Sequence, residues 1–212
     1  MALFQKKPDT GTYNPIYTLS LQKTILIVGL GNVGKEFDGT RHNIGFAIVD
    51  SFAEKQSFEG WTSKKDLKCQ LSMGNLGESR VILCKPTTMM NLSGEAVQAV
   101  VNFFKIDPTQ VYVVHDELDV DFGQIRTRIG GGSAGHNGIK SVSQHLGEDY
   151  GRIRVGIGPK TPEQIDSADF VLARFSEDEQ SQMKNLLQEA NAILTEVGFS
   201  GQLAAETRSF IV

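Results

Sequence analysis

No stretch of this sequence stays apolar for long. Its longest runs, such as Ile25-Leu26-Ile27-Val28, fall far short of the ~20 residues a membrane helix requires, so no membrane partner is expected. Cysteine is scarce. Cys69 and Cys84 are the only two in 212 residues. They lie apart in sequence and match neither metal nor disulfide spacing, which points to ordinary buried thiols in a reducing, cytoplasmic compartment. There is no Gly-x-Ser-x-Gly elbow and no cysteine with an obvious base, so a covalent nucleophile is not indicated. The four histidines lack the close spacing of a zinc site, and neither metal nor cofactor is expected. No repeat or low-complexity segment occurs.

What is there is ordinary in bulk and uneven in detail. With 40 % hydrophobic and 22 % charged residues, the composition is that of a globular protein. Its length suits one domain of ordinary size or two small ones. The formal net charge is −4. From Asp121 to Lys160, however, six bases face three acids, a local excess of +3. From Thr161 to Val212, three bases face nine acids, a local −6. A basic middle and an acidic end suggest a local anionic ligand rather than general nucleic-acid affinity.

Along the chain, residues 1–23 show no period and carry no targeting pattern. A loose extension is expected there, with residues 24–212 forming a single catalytic domain. Thr24 to Leu30 reads as a buried strand. Asn43 to Gln56 suits a helix with one apolar face. Lys68–Gly74 and Glu78–Lys85 form a hairpin around Asn75-Leu76-Gly77, with Pro86 ending it. A helix runs from Ser93 to Asp107-Pro108. Val111 to Val114 is a short buried strand, followed by His115-Asp116-Glu117. Gln124 to Ile129 is a strand, Asn137 to Leu146 a helix and Ile153 to Ile157 a strand. Ser176-Glu177-Asp178-Glu179 has the form of a capping box, and the helix it opens ends at Gly198. The alternation predicts an α/β fold: a twisted mixed sheet with a largely parallel core, one antiparallel pair and helices on both faces.

Gly29-x-Gly31-x-x-Gly34 after a strand matches a dinucleotide fingerprint. Two features oppose that reading. The helical pattern starts only near Asn43, whereas the fingerprint needs a helix to begin within the glycine loop and hold the pyrophosphate. The expected acid, Asp50, sits inside a helix rather than at a strand end. The plainer reading is that the glycines shape a strand-to-loop turn.

Asn32, His42-Asn43, Met90-Asn91, Asp116 and His136-Asn137 each fall just after an expected strand or at a helix start. In α/β sheets such positions gather around one crevice. A histidine beside an aspartate there can act as a general base, and asparagine amides can hold a carbonyl or an oxyanion. Each also has a bland explanation: strand-end asparagines are commonly turn or cap residues, and His115, His136 and His145 read as structural.

The sequence resembles the bacterial-type peptidyl-tRNA hydrolases from Thr24 onward. The resemblance rests on four ordered stretches: Phe37-Asp38-Gly39-Thr40-Arg41-His42-Asn43-Ile44-Gly45, Lys85 to Gly94, His115-Asp116-Glu117-Leu118-Asp119, and Gly132 to Lys140. It implies hydrolysis of the ester joining a peptide to the 3′ ribose of tRNA, with water activated by a His-Asp pair. It places the catalytic pair at His42 and Asp116. It assigns substrate-holding asparagines to Asn32, Asn91 and Asn137, a peptide-channel residue to Met90, and phosphate contacts to Arg126, Arg128 and Arg154. The last shares a strand face with Arg152, two residues away. Val33 and Phe37 stand where the family commonly has proline and tyrosine. Phe37 keeps a ring available against substrate but loses the hydroxyl. The implied partner is peptidyl-tRNA and the expected state a monomer. A non-catalytic RNA-binding protein on the same fold is the main alternative.

Overall fold

The computed structural model describes residues 23–211. The extension expected over residues 1–23 therefore lies, except for Lys23, outside the described residues. The first strand, β1 (Thr24–Gly29), occupies the middle of an eight-stranded sheet. Its side chains alternate between two cores, because successive strand residues point to opposite faces. Ile25 and Ile27 pack among Ile48, Val49 and Phe52 of α1 (Ile44–Lys55), while Leu26 and Val28 enter a second core.

A short strand β2 (Thr62–Lys64), then β3 (Cys69–Leu76) and β4 (Ser79–Pro86), form an antiparallel edge. Leu76 pairs with Ser79, so the hairpin turns on Gly77-Glu78, later than the expected Asn75-Leu76-Gly77. β4 runs through Pro86 rather than stopping before it. The second core is covered by α2 (Ser93–Phe104), through Ala96, Val97 and Val100.

The next strand, β5 (Val111–Asp121), is eleven residues long, not the expected four. The charged run from His115 to Asp119 reads as a loop in sequence. Its backbone nevertheless pairs in parallel with the later strand Gly151–Gly158 as far as Glu117. Asp116 is thus a strand residue, buried at 2 % exposure, not one just beyond a strand. After β5 come β6 (Gln124–Ile129), α3 (Asn137–Leu146) and β7 (Gly151–Gly158). α3 joins α2 on one face.

The chain then forms α4 (Ser167–Leu172), α5 (Glu177–Ser181), α6 (Met183–Ser200) and β8 (Glu206–Ser209). The capping box is present at Ser176 and Glu179, but the helix it opens breaks at Gln182. α6 then ends at Gly201, which is left-handed at φ 59°, and not at Gly198. Gly198 is inside the helix, where it packs against Leu76. α6 covers the same face as α1, through Leu186, Ile193 and Leu194.

The strand order is β2-β3-β4-β1-β5-β7-β6-β8. The four central strands are mutually parallel, and both flanks are antiparallel. Only one antiparallel flank is expected from the sequence. β8 escapes a sequence reading because only four residues of alternating burial carry it. Among the described residues no helix is long and apolar enough to cross a membrane.

One close approach joins the α2–α3 face to the site. A Cβ on Gly94 would lie 2.2 Å from the Ser141 carbonyl oxygen, and Gly94 N–H donates to Ser141 Oγ at 3.0 Å. That crossing sets the residues just before α2 beside the start of α3.

Candidate active site

The three residues Arg41, His42 and Asn43 form a single 3₁₀ turn at the entry to α1, and all three are buried. Such a turn has three residues per revolution, so consecutive side chains diverge by about 120°. They reach three different places.

His42 reaches β5. Its Nδ1 lies 2.9 Å from Asp116 Oδ1 and 3.0 Å from Oδ2. An ionised carboxylate only accepts, so Nδ1 carries a proton, and in the neutral ring Nε2 is the nitrogen with the lone pair. His136, the residue before α3, approaches the same oxygen: its Nε2 is 2.9 Å from Asp116 Oδ1. Its Nδ1 accepts from Gly138 N–H at 3.1 Å and Ile139 N–H at 3.2 Å, which caps α3 and leaves the proton on Nε2. Asp116 therefore accepts from two imidazoles. Burial alone would push its carboxyl up, but the N–H donors of His136, then of His42, outweigh that and hold it well below the usual carboxylate range. His115 is buried behind the pair. It donates from Nδ1 to the Asp116 carbonyl at 2.7 Å, and burial pushes its pKa well down, so it stays neutral.

Asn43 turns the other way. Its Oδ1 accepts from Asn32 N–H and its Nδ2 donates to the Asn32 carbonyl, both at 2.9 Å. Asn32 Oδ1 in turn accepts from Met90 N–H at 3.0 Å. The amide nitrogen of Asn32 is then the group left to donate into the cleft.

That cleft is about 560 Å³. One part of its wall is polar: Asn32, His42, Asp116, Asn91, His136 and Asn137. Another part is apolar: Met89 and Leu118, with Ala168, Val171 and Leu172 from α4. Met90 and Glu117 also line it. Of the residues singled out in sequence, Asn32, His42, Met90, Asn91, Asp116 and Asn137 thus meet at one cleft, and Phe37 lies outside its wall.

The arginines lie elsewhere. Ile153, Val155 and Ile157 of β7 face the α1–α6 core, so Arg152 and Arg154 face the opposite side. Arg126 pairs directly with Arg154, and Arg128 with Arg152. The four make a compact cationic strip along the sheet flank. Burial, then the nearby Arg128 charge, lower the Arg154 pKa. Arg152 differs from the rest. It is 1 % exposed, donates to the Gly132 carbonyl at 2.6 Å and to Ser143 Oγ at 3.3 Å, and stacks on Tyr150. Both of its terminal nitrogens are committed within the fold.

His42, Asp116 and His136 bring three potential metal-ligating atoms within 4.8 Å of one another. Sequence spacing gives no sign of this cluster, because its members come from the entry to α1, from β5 and from the start of α3. With two N–H groups on His136 Nδ1, its Nε2 holds a proton and has no lone pair for an ion. Gly29 and Gly31 of the dinucleotide-like loop serve close packing instead. A Cβ on Gly29 would meet the Gly45 carbonyl oxygen at 2.3 Å, so they let α1 lie tightly on β1. No helix starts in the loop; α1 begins only at Ile44.

Comparison with known proteins gives the family. The sequence profile of the family described as peptidyl-tRNA hydrolase matches residues 26–210. This chain belongs to the peptidyl-tRNA hydrolase family. A peptidyl-tRNA hydrolase of Clostridium botulinum (strain Hall) is 45 % identical over 163 residues, covering 76 % of this chain and 84 % of that one. One of Sinorhizobium fredii is 44 % identical over 163 residues, covering 77 % and 67 %. The crystal structure of the Acinetobacter baumannii peptidyl-tRNA hydrolase superposes with a TM-score of 0.77 at 36 % identity, over 85 % of this chain and 91 % of the other. The sequence reads His136 as structural, and it does cap α3, but its bond to Asp116 is not foreseen; Asn43, expected as a carbonyl-holding amide, spends its side chain on the Asn32 backbone, and Arg41 is given no role. The signal for His136 is its place directly before Asn137 in the second glycine-rich motif.

Proposed function

We propose that this protein hydrolyses peptidyl-tRNA at the ester joining the peptide to the 3′ ribose, freeing tRNA for reuse in translation. The observation that carries the reading is the His42–Asp116 pair opening on a cleft lined by three asparagines. His42 Nε2 takes the proton of an attacking water, and Asp116 holds the imidazole in the tautomer that allows it. Asn32 donates to the carbonyl as charge develops on its oxygen, a role in which one donor is worth roughly 3–4 kcal/mol. Asn91 and Asn137 hold the polar parts of the substrate, and Met90 borders the path of the peptide. Phe37 offers a ring to the substrate from outside the cleft wall. Arg126, Arg128 and Arg154 grip phosphates without reading sequence.

An ester leaves more readily than an amide, so this set suffices without a metal or cofactor. In this reading residues 24–212 form one catalytic domain acting as a cytoplasmic monomer. A protein that only bound RNA would have no use for a proton-accepting imidazole oriented by a buried carboxylate. Deacylation of a mixed peptidyl-tRNA pool, with His42→Ala beside the unmodified protein, tests the reading. Turnover by the unmodified protein and its loss in the variant support it, and equal rates in the two would refute it.

A further inference from the structure

Arg41, the residue before the base, is only 7 % exposed and takes no part in the chemistry above. Its guanidinium donates to the Arg174 carbonyl at 2.7 Å and lies 2.6 Å from Glu179 Oε2. It also stacks over the Phe170 ring, 4.3 Å from the centroid. Its own backbone N–H donates to the Ala173 carbonyl at 3.0 Å. All these partners belong to α4, to α5 or to the corner between them. α4 is six residues long and buries one side chain, Phe170, the ring on which Arg41 stacks. So short a helix has little packing of its own to fix its position; Val171 also lies against the core, and Arg41 adds the polar attachment. α4 also supplies Ala168, Val171 and Leu172 to the apolar part of the cleft. Those three apolar side chains suit a peptide chain.

We propose that Arg41 is a specificity-determining positioning residue. It fixes the spacing between the α4 wall and His42, and thereby sets affinity for the peptide beyond the scissile ester. The proposal rests on the peptidyl-tRNA reading. A guanidinium suits the task because its planar fork serves a carbonyl and a carboxylate while its face covers a ring.

The test compares the unmodified protein, Arg41→Met and Glu179→Gln on two substrates. One is a tRNA carrying a peptide of several residues; the other is N-acetyl-aminoacyl-tRNA. Glu179→Gln removes the charge that meets Arg41 while keeping a residue type that can complete the capping box, so it carries the test if Arg41→Met fails to fold. KM for the longer substrate is expected to rise about tenfold in Arg41→Met and about threefold in Glu179→Gln. KM for the short substrate should rise much less, and kcat should fall less than KM rises. A lower melting temperature with unchanged kinetics per folded molecule overturns the proposal, as does an equal rise in KM on both substrates. An unmodified protein inactive on both substrates refutes the peptidyl-tRNA reading itself.

Discussion

His42 and His136 both end on Asp116, their ring centroids 4.9 Å apart and a single carboxylate oxygen 2.9 Å from a nitrogen of each. The acid is therefore shared between an imidazole at the cleft and one that caps a helix. Holding His136 fixed through two backbone N–H groups in turn fixes the direction of the carboxylate. The proposed base thus inherits its orientation from the start of α3.

Asp116→Asn follows from that geometry. An amide keeps one oxygen that can accept from both imidazoles, but it puts a donating nitrogen where Oδ2 lies 3.0 Å from His42 Nδ1, so the His42 N–H meets a donor there. That imidazole must rotate or change tautomer. We expect kcat on peptidyl-tRNA to fall by about 10² to 10⁴, the range associated with losing a well-oriented base. Circular dichroism should still report a folded protein. Retention of more than a tenth of the rate would argue against the pair.

The arginine strip divides into members proposed to grip phosphate, Arg126 and Arg128, and one buried within the fold, Arg152. Arg126→Ala combined with Arg128→Ala is expected to reduce the slope of log affinity against log salt by about 1 to 2, one unit or a little less for each phosphate that is no longer neutralised. Arg152→Lys should instead lower the melting temperature, because its donors serve the Gly132 carbonyl and Ser143. A salt slope unchanged in the double variant would remove the phosphate role.

Glu117 lines the cleft at 4 % exposure, and burial raises its pKa. Its carboxyl therefore holds a proton more tightly folded than unfolded. The sign follows: stability falls as pH rises from the unfolded value of about 4.3 through the folded pKa, and the penalty then persists at higher pH. Glu117→Gln should raise the melting temperature at pH 7 and change it little at pH 4. Equal effects at both pH values would show that ionisation is not the cause.

Gly94 marks the crossing of α2 and α3. An added methyl would press on the Ser141 backbone, which cannot give as a flexible side chain can. Gly94→Ala is expected to cost about 1–3 kcal/mol in chemical denaturation, the usual range for overpacking. Because the crossing sets Asn91 beside Asn137, KM should rise as well. A variant as stable as the parent would show that the two helices can separate freely.

Much of this arrangement can be read from residue order. The β1 run, with its β-branched residues, dictates a buried strand. The helix faces of α1, α2 and α3 follow from apolar spacing, and the glycine loop lacks the helix that a dinucleotide needs. The motifs around His42, Asn91, Asp116 and Asn137 mark the site and its family. What local pattern cannot carry is the long β5, because a charged stretch gains strand structure only from the neighbours that satisfy its backbone. Nor can it show that His136 shares Asp116 with His42. It gives no sign that Arg152 is spent inside the fold while Arg126 and Arg128 line the strip beside it, nor that Arg41 ties the His42 turn to α4. Those contacts join residues 20 to 138 positions apart. They exist only once parallel pairing and helix packing bring the strand ends and helix starts to one edge of the sheet. Sequence alone thus determined which chemical groups are available and the family to which they belong. Tertiary structure decided which of them meet, because hydrogen-bond partners and burial are properties of the folded neighbourhood.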